Sequence, residues 1–298
     1  MTIMNRLSRD KRVLMLRCLT EGMGVNATCR TAGVSKMTLL KLLSDLGPVL
    51  RAFQAERLTG LRCKRVQVDE AWGFCSMKAK NVPDELRGTW GFGDIWTWTA
   101  ICAECRIVPT WLVGPRDGGA ATAFMLDVAS RLTERVQLSS DGLSSYLDAV
   151  ETAFGVDIDF AQLVKIYGEP EGVGPERKYS PGECCGTRKD LICGKPDPKH
   201  ITTSYSERLN HELRNKNRRL ARLTTNFSRK VENLDHSLAL TFFVYNFVKP
   251  HGSLRVGPAM EAGVTDHLWT YEAAIALLEA TEMDAATVGA TRKDRRSV

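Results

Sequence analysis

Residues 64–70 read KRVQVDE, a short run carrying Val66 and Val68 and ending in two acids. β-Branched residues favour a strand, and this one has the composition of a buried strand that delivers carboxylates at its end. Adjacent residues of a strand point to opposite faces, so Asp69 and Glu70 diverge, and register decides which of them enters a site.

Downstream, Ile95–Cys102 (IWTWTAIC) alternates Trp96, Trp98, Ala100 and Cys102 on one face and reads as a second strand. Arg106–Val113 (RIVPTWLV) is a third, with Pro109 marking an edge or a bulge, and Ala103-Glu104 makes a short hairpin link. Gly119–Leu132 reads as a helix capped by Asp117-Gly118. Val136–Ser140 is a fourth strand running into Asp141, Leu143–Phe154 a helix, and Leu163–Tyr167 a fifth strand. Three strands in meander followed by helix, strand, helix and strand describe an α/β fold of the ribonuclease-H-like kind, a mixed sheet flanked by helices.

Further on, residues 203–223 read TSYSERLNHELRNKNRRLARL, a basic helix with one carboxylate in its first turns. Ser204 and Glu207 fit a capping box. Leu209, Leu213 and Leu220 form an apolar stripe, while Glu207, Asn210, His211 and Arg214 share a second face at i, i+3, i+4 and i+7. Between positions 207 and 230 eight Lys/Arg face two Glu, an excess equal to the +6 of the whole chain. Charge so concentrated suits a polyanion. Glu207 alone could serve only as a cap; inside a phosphate-binding face it suits a metal ligand.

Upstream, Asp10–Leu19, Asn26–Ala32 and Lys36–Leu46 read as three helices, with a Gly33-Val34-Ser35 turn before the third and Gly47-Pro48 as its stop. This is the layout of an all-α helix-turn-helix domain, whose second helix enters the major groove. Ser35, Lys36, Met37, Thr38 and Lys41 face outward on that reading; a three-helix bundle without a ligand is the plainer one.

Composition agrees with a folded chain: 43% hydrophobic and 26% charged over 298 residues. There is no run of eighteen apolar residues, and the N-terminus lacks the apolar core of an export signal, so a cytoplasmic protein is expected. Nine irregularly spaced cysteines then imply reduced thiols. Cys102, Cys105, Cys184, Cys185 and Cys193 could form a structural Zn²⁺ site, but one CxxC with an irregular CCx₇C makes this the lesser reading.

Asp69 in VDExW, Asp141 in SSDG and Glu207 in SxxERxN, with the ending Tyr245-Asn246-Phe247, Pro250-His251 and GPAMEAGVTDHLW, resemble the DDE transposases of small bacterial insertion sequences over about residues 62–270. The resemblance implies Asp69, Asp141 and Glu207 as catalytic metal ligands for Mg²⁺ or Mn²⁺. It implies double-stranded DNA as substrate (terminal inverted repeats and target), a homo-oligomer on that DNA, and association with the nucleoid. Ser35, Lys36, Thr38 and Lys41 would contact DNA from the head, and Arg208, Asn210, Arg214 and Arg218 from the basic helix, with Lys216, Arg219 and Arg222 as further phosphate contacts. A nuclease of the same fold without strand transfer, and a non-catalytic DNA-binding descendant, are the alternatives.

The expected organisation is a head at 1–48, a helical linker at 49–62, the catalytic domain at 63–270 with a loop insertion at 168–200, and a C-terminal helix with a basic tail at 271–298.

Overall fold

The computed structural model describes residues 7–168 and 184–294, with side chains to residue 284. The chain gathers into two compact units. One comprises Met1–Leu58, Trp72–Trp96 and His211–Val298, and the other Thr59–Ala71 and Thr97–Asn210. Two strands and one helix run from one unit into the other.

The second unit is built on a six-stranded mixed sheet. Its strands are β1 (Arg65–Cys75), β2 (Gly93–Cys102), β3 (Trp111–Gly114), β4 (Gln137–Ser140), β5 (Asp159–Tyr167) and β6 (Cys184–Cys193), in the order β3-β2-β1-β4-β5-β6. β1 pairs with β4 in parallel, β4 with β5 in parallel, and β5 with β6 antiparallel. Helices α4 (Gly118–Arg131) and α5 (Ser145–Phe154) follow β3 and β4. Asp117 caps α4, its carboxylate accepting the Ala120 N–H at 2.8 Å. The core is aromatic: Trp98 meets Tyr146 edge-on at 5.6 Å and Phe124 at 6.1 Å, and all three are fully buried. From β1 to β5 the sequence of strands and helices is the expected one.

Several boundaries differ, each for a physical reason. β1 runs on past the two acids to Cys75, so the acids are not at its end. They do lie past the end of its ladder with β4, which closes at Gln67↔Ser139. β3 begins only at Trp111, because Pro109 has no N–H to give a ladder, and it forms one edge of the sheet. The segment 168–200, expected as a loop, contains β6. Most of β6 is exposed, and backbone pairing with β5 from Phe160↔Cys193 to Tyr167↔Cys184 makes it a strand, without a hydrophobic period to announce it. The rest of that loop, 169–183, lies outside the described residues.

In the first unit, α1 (Arg9–Thr20), α2 (Val25–Ala32) and α3 (Lys36–Arg57) open the chain. The α2–α3 turn is as read: Gly33 is left-handed at φ +63°, and Ser35 Oγ accepts the Thr38 N–H at 3.1 Å. Helix α3, however, does not stop at Gly47-Pro48. Gly47 is there for packing: a Cβ on it would sit 2.4 Å from His236 Cβ on α7 (Val231–Phe243). Lacking a Cβ, it also relieves the clash that a following proline imposes on a helical residue. Head and linker are thus one helix across position 48.

Helix α6 spans Ser204–Lys216 and not the whole stretch to Leu223. It breaks at Asn217, whose buried amide donates to Ser237 at 3.0 Å and Thr241 at 3.1 Å on α7 and so leaves helical geometry. The remaining α-helices are α8 (Pro258–Glu261) and α9 (Tyr271–Asp294). The expected basic tail is helical as far as Asp294, in keeping with its Ala, Glu, Met and Lys content; residues 295–298 lie outside the described residues. Among the described residues no helix is long and apolar enough to cross a membrane.

Candidate functional site: a carboxylate cluster between β1 and β4

Parallel pairing of β1 with β4 ends at Gln67↔Ser139; two residues on from each partner stand Asp69, within β1, and Asp141, just past the end of β4. The register therefore sets the two acids level, from positions 72 residues apart in the chain. Carboxylate oxygens of Asp69, Glu70 and Asp141 all lie within 4.8 Å of one another. Strand alternation alone turns Glu70 away from Asp69, and its membership of the cluster is what only the fold reveals.

Each acid is held differently. Asp69 Oδ1 accepts the Glu70 N–H at 2.8 Å, and its Oδ2 accepts the Asn210 side-chain amide at 2.8 Å. Burial first, and then the charges of Glu70, Asp141 and Glu207, push the Asp69 carboxyl up to about 7. Glu70 is clamped: Arg116 Nη2 lies 2.6 Å from Oε1, and the Tyr146 hydroxyl donates to Oε2 at 3.1 Å. Burial and Asp141 nevertheless leave its pKa raised. Asp141 Oδ1 accepts the Leu143 N–H at 3.0 Å, and its other oxygen lies 3.9 Å from Arg116. Arg116 thus spans two of the three acids. The sequence carried no signal for this, because its loop has no periodicity to place it.

Glu207 stands outside this triad among the described residues that could jointly hold a metal. Its Oε1 pairs with Lys165 of β5 at 2.7 Å and accepts the Thr203 hydroxyl. It is close enough for its charge to act on Asp69. Its helix is fixed from β1: Gln67 Oε1 accepts the N–H groups of Tyr205 at 2.8 Å and Ser206 at 3.1 Å, satisfying two donors of the first turn. Ser204, read as the cap, is instead the first helical residue, and Thr203 supplies the carbonyl that takes the Glu207 N–H.

The basic residues divide. Arg208 and Arg218 are exposed. Asn210 spends its amide on Asp69. Arg214 donates to the backbone carbonyls of Trp72 at 3.0 Å and Leu220 at 2.9 Å. Arg219 is buried against Ser228 at 2.8 Å, and burial pulls its guanidinium down to about 10. Lys216 pairs with Glu21 at 2.7 Å. In the head, Ser35, Lys36 and Lys41 are exposed and Thr38 half-buried; Lys41 pairs with Asp45 at 2.7 Å, and Ser35 and Thr38 hydrogen-bond each other at 2.8 Å.

All nine cysteines are among the described residues and are thiols. Cys102 and Cys105 meet Cys63, while Cys184 and Cys185 are exposed on β6. The five-cysteine set read from the sequence is therefore not the one the fold assembles.

No protein-family model and no curated protein matches the chain. Among solved structures the chain is similar to a piggyBac transposase synaptic complex with hairpin DNA, at TM-score 0.44 and 8% identity, over 92% of this chain and 71% of that one.

Proposed function

We propose that this chain is a divalent-metal-dependent DNA transposase of the DDE kind with a ribonuclease-H-like catalytic core, cleaving a strand at the end of a mobile element and joining the freed 3′-hydroxyl to target DNA. The observation that carries this reading is the convergence of Asp69, Glu70 and Asp141 within 4.8 Å just past the end of the parallel β1–β4 ladder. Carboxylates so placed favour protons or a cation, and burial, with the neighbouring acids adding to it, raises the Asp69 carboxyl. The donors are all carboxylate oxygens, the chemistry that suits Mg²⁺ or Mn²⁺. Asp69 and Asp141 would hold the metal, and Glu207 would complete the set once released from Lys165. Bound there, divalent cations would supply activation of the attacking oxygen and stabilisation of the leaving one.

The chain's own residues prepare this site. Asn210 aims one Asp69 oxygen and leaves the other to the N–H of Glu70. Arg116 and Tyr146 hold Glu70 charged but sequestered, its side chain 1% exposed, so Glu70 sets the local field and Asp69 and Asp141 remain the accessible ligands. Arg208, one residue from Glu207, would meet the backbone phosphates. The exposed Ser35, Lys36 and Lys41, with Thr38, would enter a groove of the terminal-repeat DNA. Assembly as a homo-oligomer on DNA and a nucleoid location belong to the same proposal.

The test is Mg²⁺- or Mn²⁺-dependent cleavage and joining of DNA carrying the element's own ends, with wild type beside Asp141→Asn and Glu207→Gln. Loss of both steps in both variants, with DNA binding kept, is the expected result. Cleavage without joining would assign a nuclease. Binding without cleavage by folded wild type would assign a DNA-binding protein and overturn the enzyme.

A further inference from the structure

Three thiols converge at the other end of β1. Cys63 stands just before the strand, and Cys102 and Cys105 flank the turn that follows β2. None is more than 7% exposed, and their sulfurs lie within 4.8 Å of one another. Zn–S bonds of about 2.3 Å in tetrahedral geometry put sulfurs about 3.8 Å apart, so side-chain rotations suffice to close this triangle on an ion.

The backbone is shaped for the same end. Cys102-Ala103-Glu104-Cys105 folds as a tight turn in which the Cys102 N–H bonds Ile107 O at 2.9 Å and the Arg106 N–H bonds Cys102 O at 3.1 Å. Arg106 adopts φ +58°, a conformation that a non-glycine residue takes only where the turn demands it. Glu104 lies outside the three-thiol group, beside one of its sulfurs and held by the Arg65 backbone N–H and guanidinium, and a side-chain rotation would bring it in as the fourth donor. The Glu104 carboxylate lies 3.3 Å from the Cys102 sulfur and is braced by the Arg65 guanidinium, which balances the charge of a thiolate-rich site.

We propose that Cys63, Cys102 and Cys105, with Glu104 as fourth ligand, form a structural zinc site. Three thiolates are soft donors that select Zn²⁺ over the hard ions suited to the Asp69 cluster. Binding releases the thiol protons to solvent and joins the segment entering β1 to the β2–β3 turn. Cys63 precedes Asp69 by six residues, about 20 Å of extended strand, so the two metal sites are separate.

The full chain, purified under reducing conditions without chelator, is assayed for metal content and then reconstituted with Co²⁺. About one zinc per chain is expected, with a sulfur-to-cobalt charge-transfer band and intense tetrahedral visible bands in the cobalt form. Oxygen-only ligation at the carboxylates cannot give the charge-transfer band. Cys63→Ser loses the band, the Cys184→Ser/Cys185→Ser control keeps it, and Glu104→Gln shifts the visible bands. Stripping the zinc lowers the melting temperature by several degrees. The wild-type cobalt spectrum requires no variant to fold. Folded, reduced wild type that takes neither zinc nor a thiolate–cobalt band overturns the site, as does full zinc content in both Cys63→Ser and Cys105→Ser.

Discussion

The side-chain amide of Asn210 donates to Oδ2 of Asp69 at 2.8 Å, linking residues 141 positions apart. Gln67, on the same face of β1 as Asp69, accepts two N–H groups from the first turn of the same helix. Helix α6 is therefore fixed to β1 at two points, and Glu207 lies between them. Asn210, expected from its helix face to meet DNA, is hydrogen-bonded here to the first acid.

Asn210→Ala leaves Asp69 free to rotate and removes a hydrogen bond to its charged form. Outer partners of metal ligands typically matter about 10–100-fold in affinity or activity. The expected outcome is a loss of that size in Mn²⁺ affinity by calorimetry. DNA affinity in the absence of metal should stay unchanged, and a loss there instead would assign Asn210 to the DNA.

Lys165 pairs with Glu207 at 2.7 Å, so on the proposed metal site it would compete with the cation. Lys165→Met removes that competitor at a half-buried position without adding a donor. Mn²⁺ binding to the DNA-free protein should tighten several-fold in Lys165→Met and stay as in wild type in Lys165→Arg. Weaker binding in Lys165→Met would show that the pair does not oppose the metal.

Arg116 neutralises Glu70, whose side chain is 1% exposed. Arg116→Ala strands a buried charge; removing one partner of a fully buried pair costs about 3–5 kcal/mol, and the cost here is smaller because Arg116 is 38% exposed. Arg116→Ala/Glu70→Gln should recover most of that loss, because the neutral amide can still meet the Tyr146 hydroxyl. Urea denaturation of both variants measures it.

Asp69 is raised to about 7 from 3.8, so between these values the folded chain binds a proton that the unfolded chain has lost. The stability contributed by this group is full below the lower value and is lost as pH rises through the upper one. Glu70, also raised, acts in the same direction. Metal-free protein should melt at falling temperature from about pH 5 to about pH 8, by an amount on the order of 1–2 kcal/mol after allowance for residual solvent. Asp69→Asn should flatten that slope, and saturating Mg²⁺ should restore the melting temperature at the alkaline end. A metal-free profile that rises over this range would contradict the raised Asp69.

Gly47 faces α7 with no room for a side chain, since a Cβ at this position would fall 2.4 Å from His236 Cβ. Gly47→Ala gains helix propensity of about 1 kcal/mol but must force two helices apart. Overpacking of this kind costs about 1–3 kcal/mol, so the net expectation is destabilisation, read by thermal melting. Stabilisation would mean that Gly47 only interrupts the helix.

The sequence by itself determined the alternation of strands and helices and the places of Asp69 and Asp141 beside paired strands. These features are local: β-branched runs, helical periods and turn residues act over a few positions and are written in consecutive residues. Even where Pro48 suggested a stop, the helical pattern on both sides of it was legible, and close packing on His236 settled the matter.

What only the tertiary structure decided is which groups share a space. Glu70 joins the acids through Arg116 and Tyr146, Asn210 serves Asp69, Arg214 and Arg219 are spent inside the fold, and Cys63 meets Cys102 and Cys105. β6 exists through its ladder to β5 and not through any pattern of its own. Each of these depends on side chains or backbone brought together from distant positions, and their energies arise from burial and pairing that no local spacing encodes.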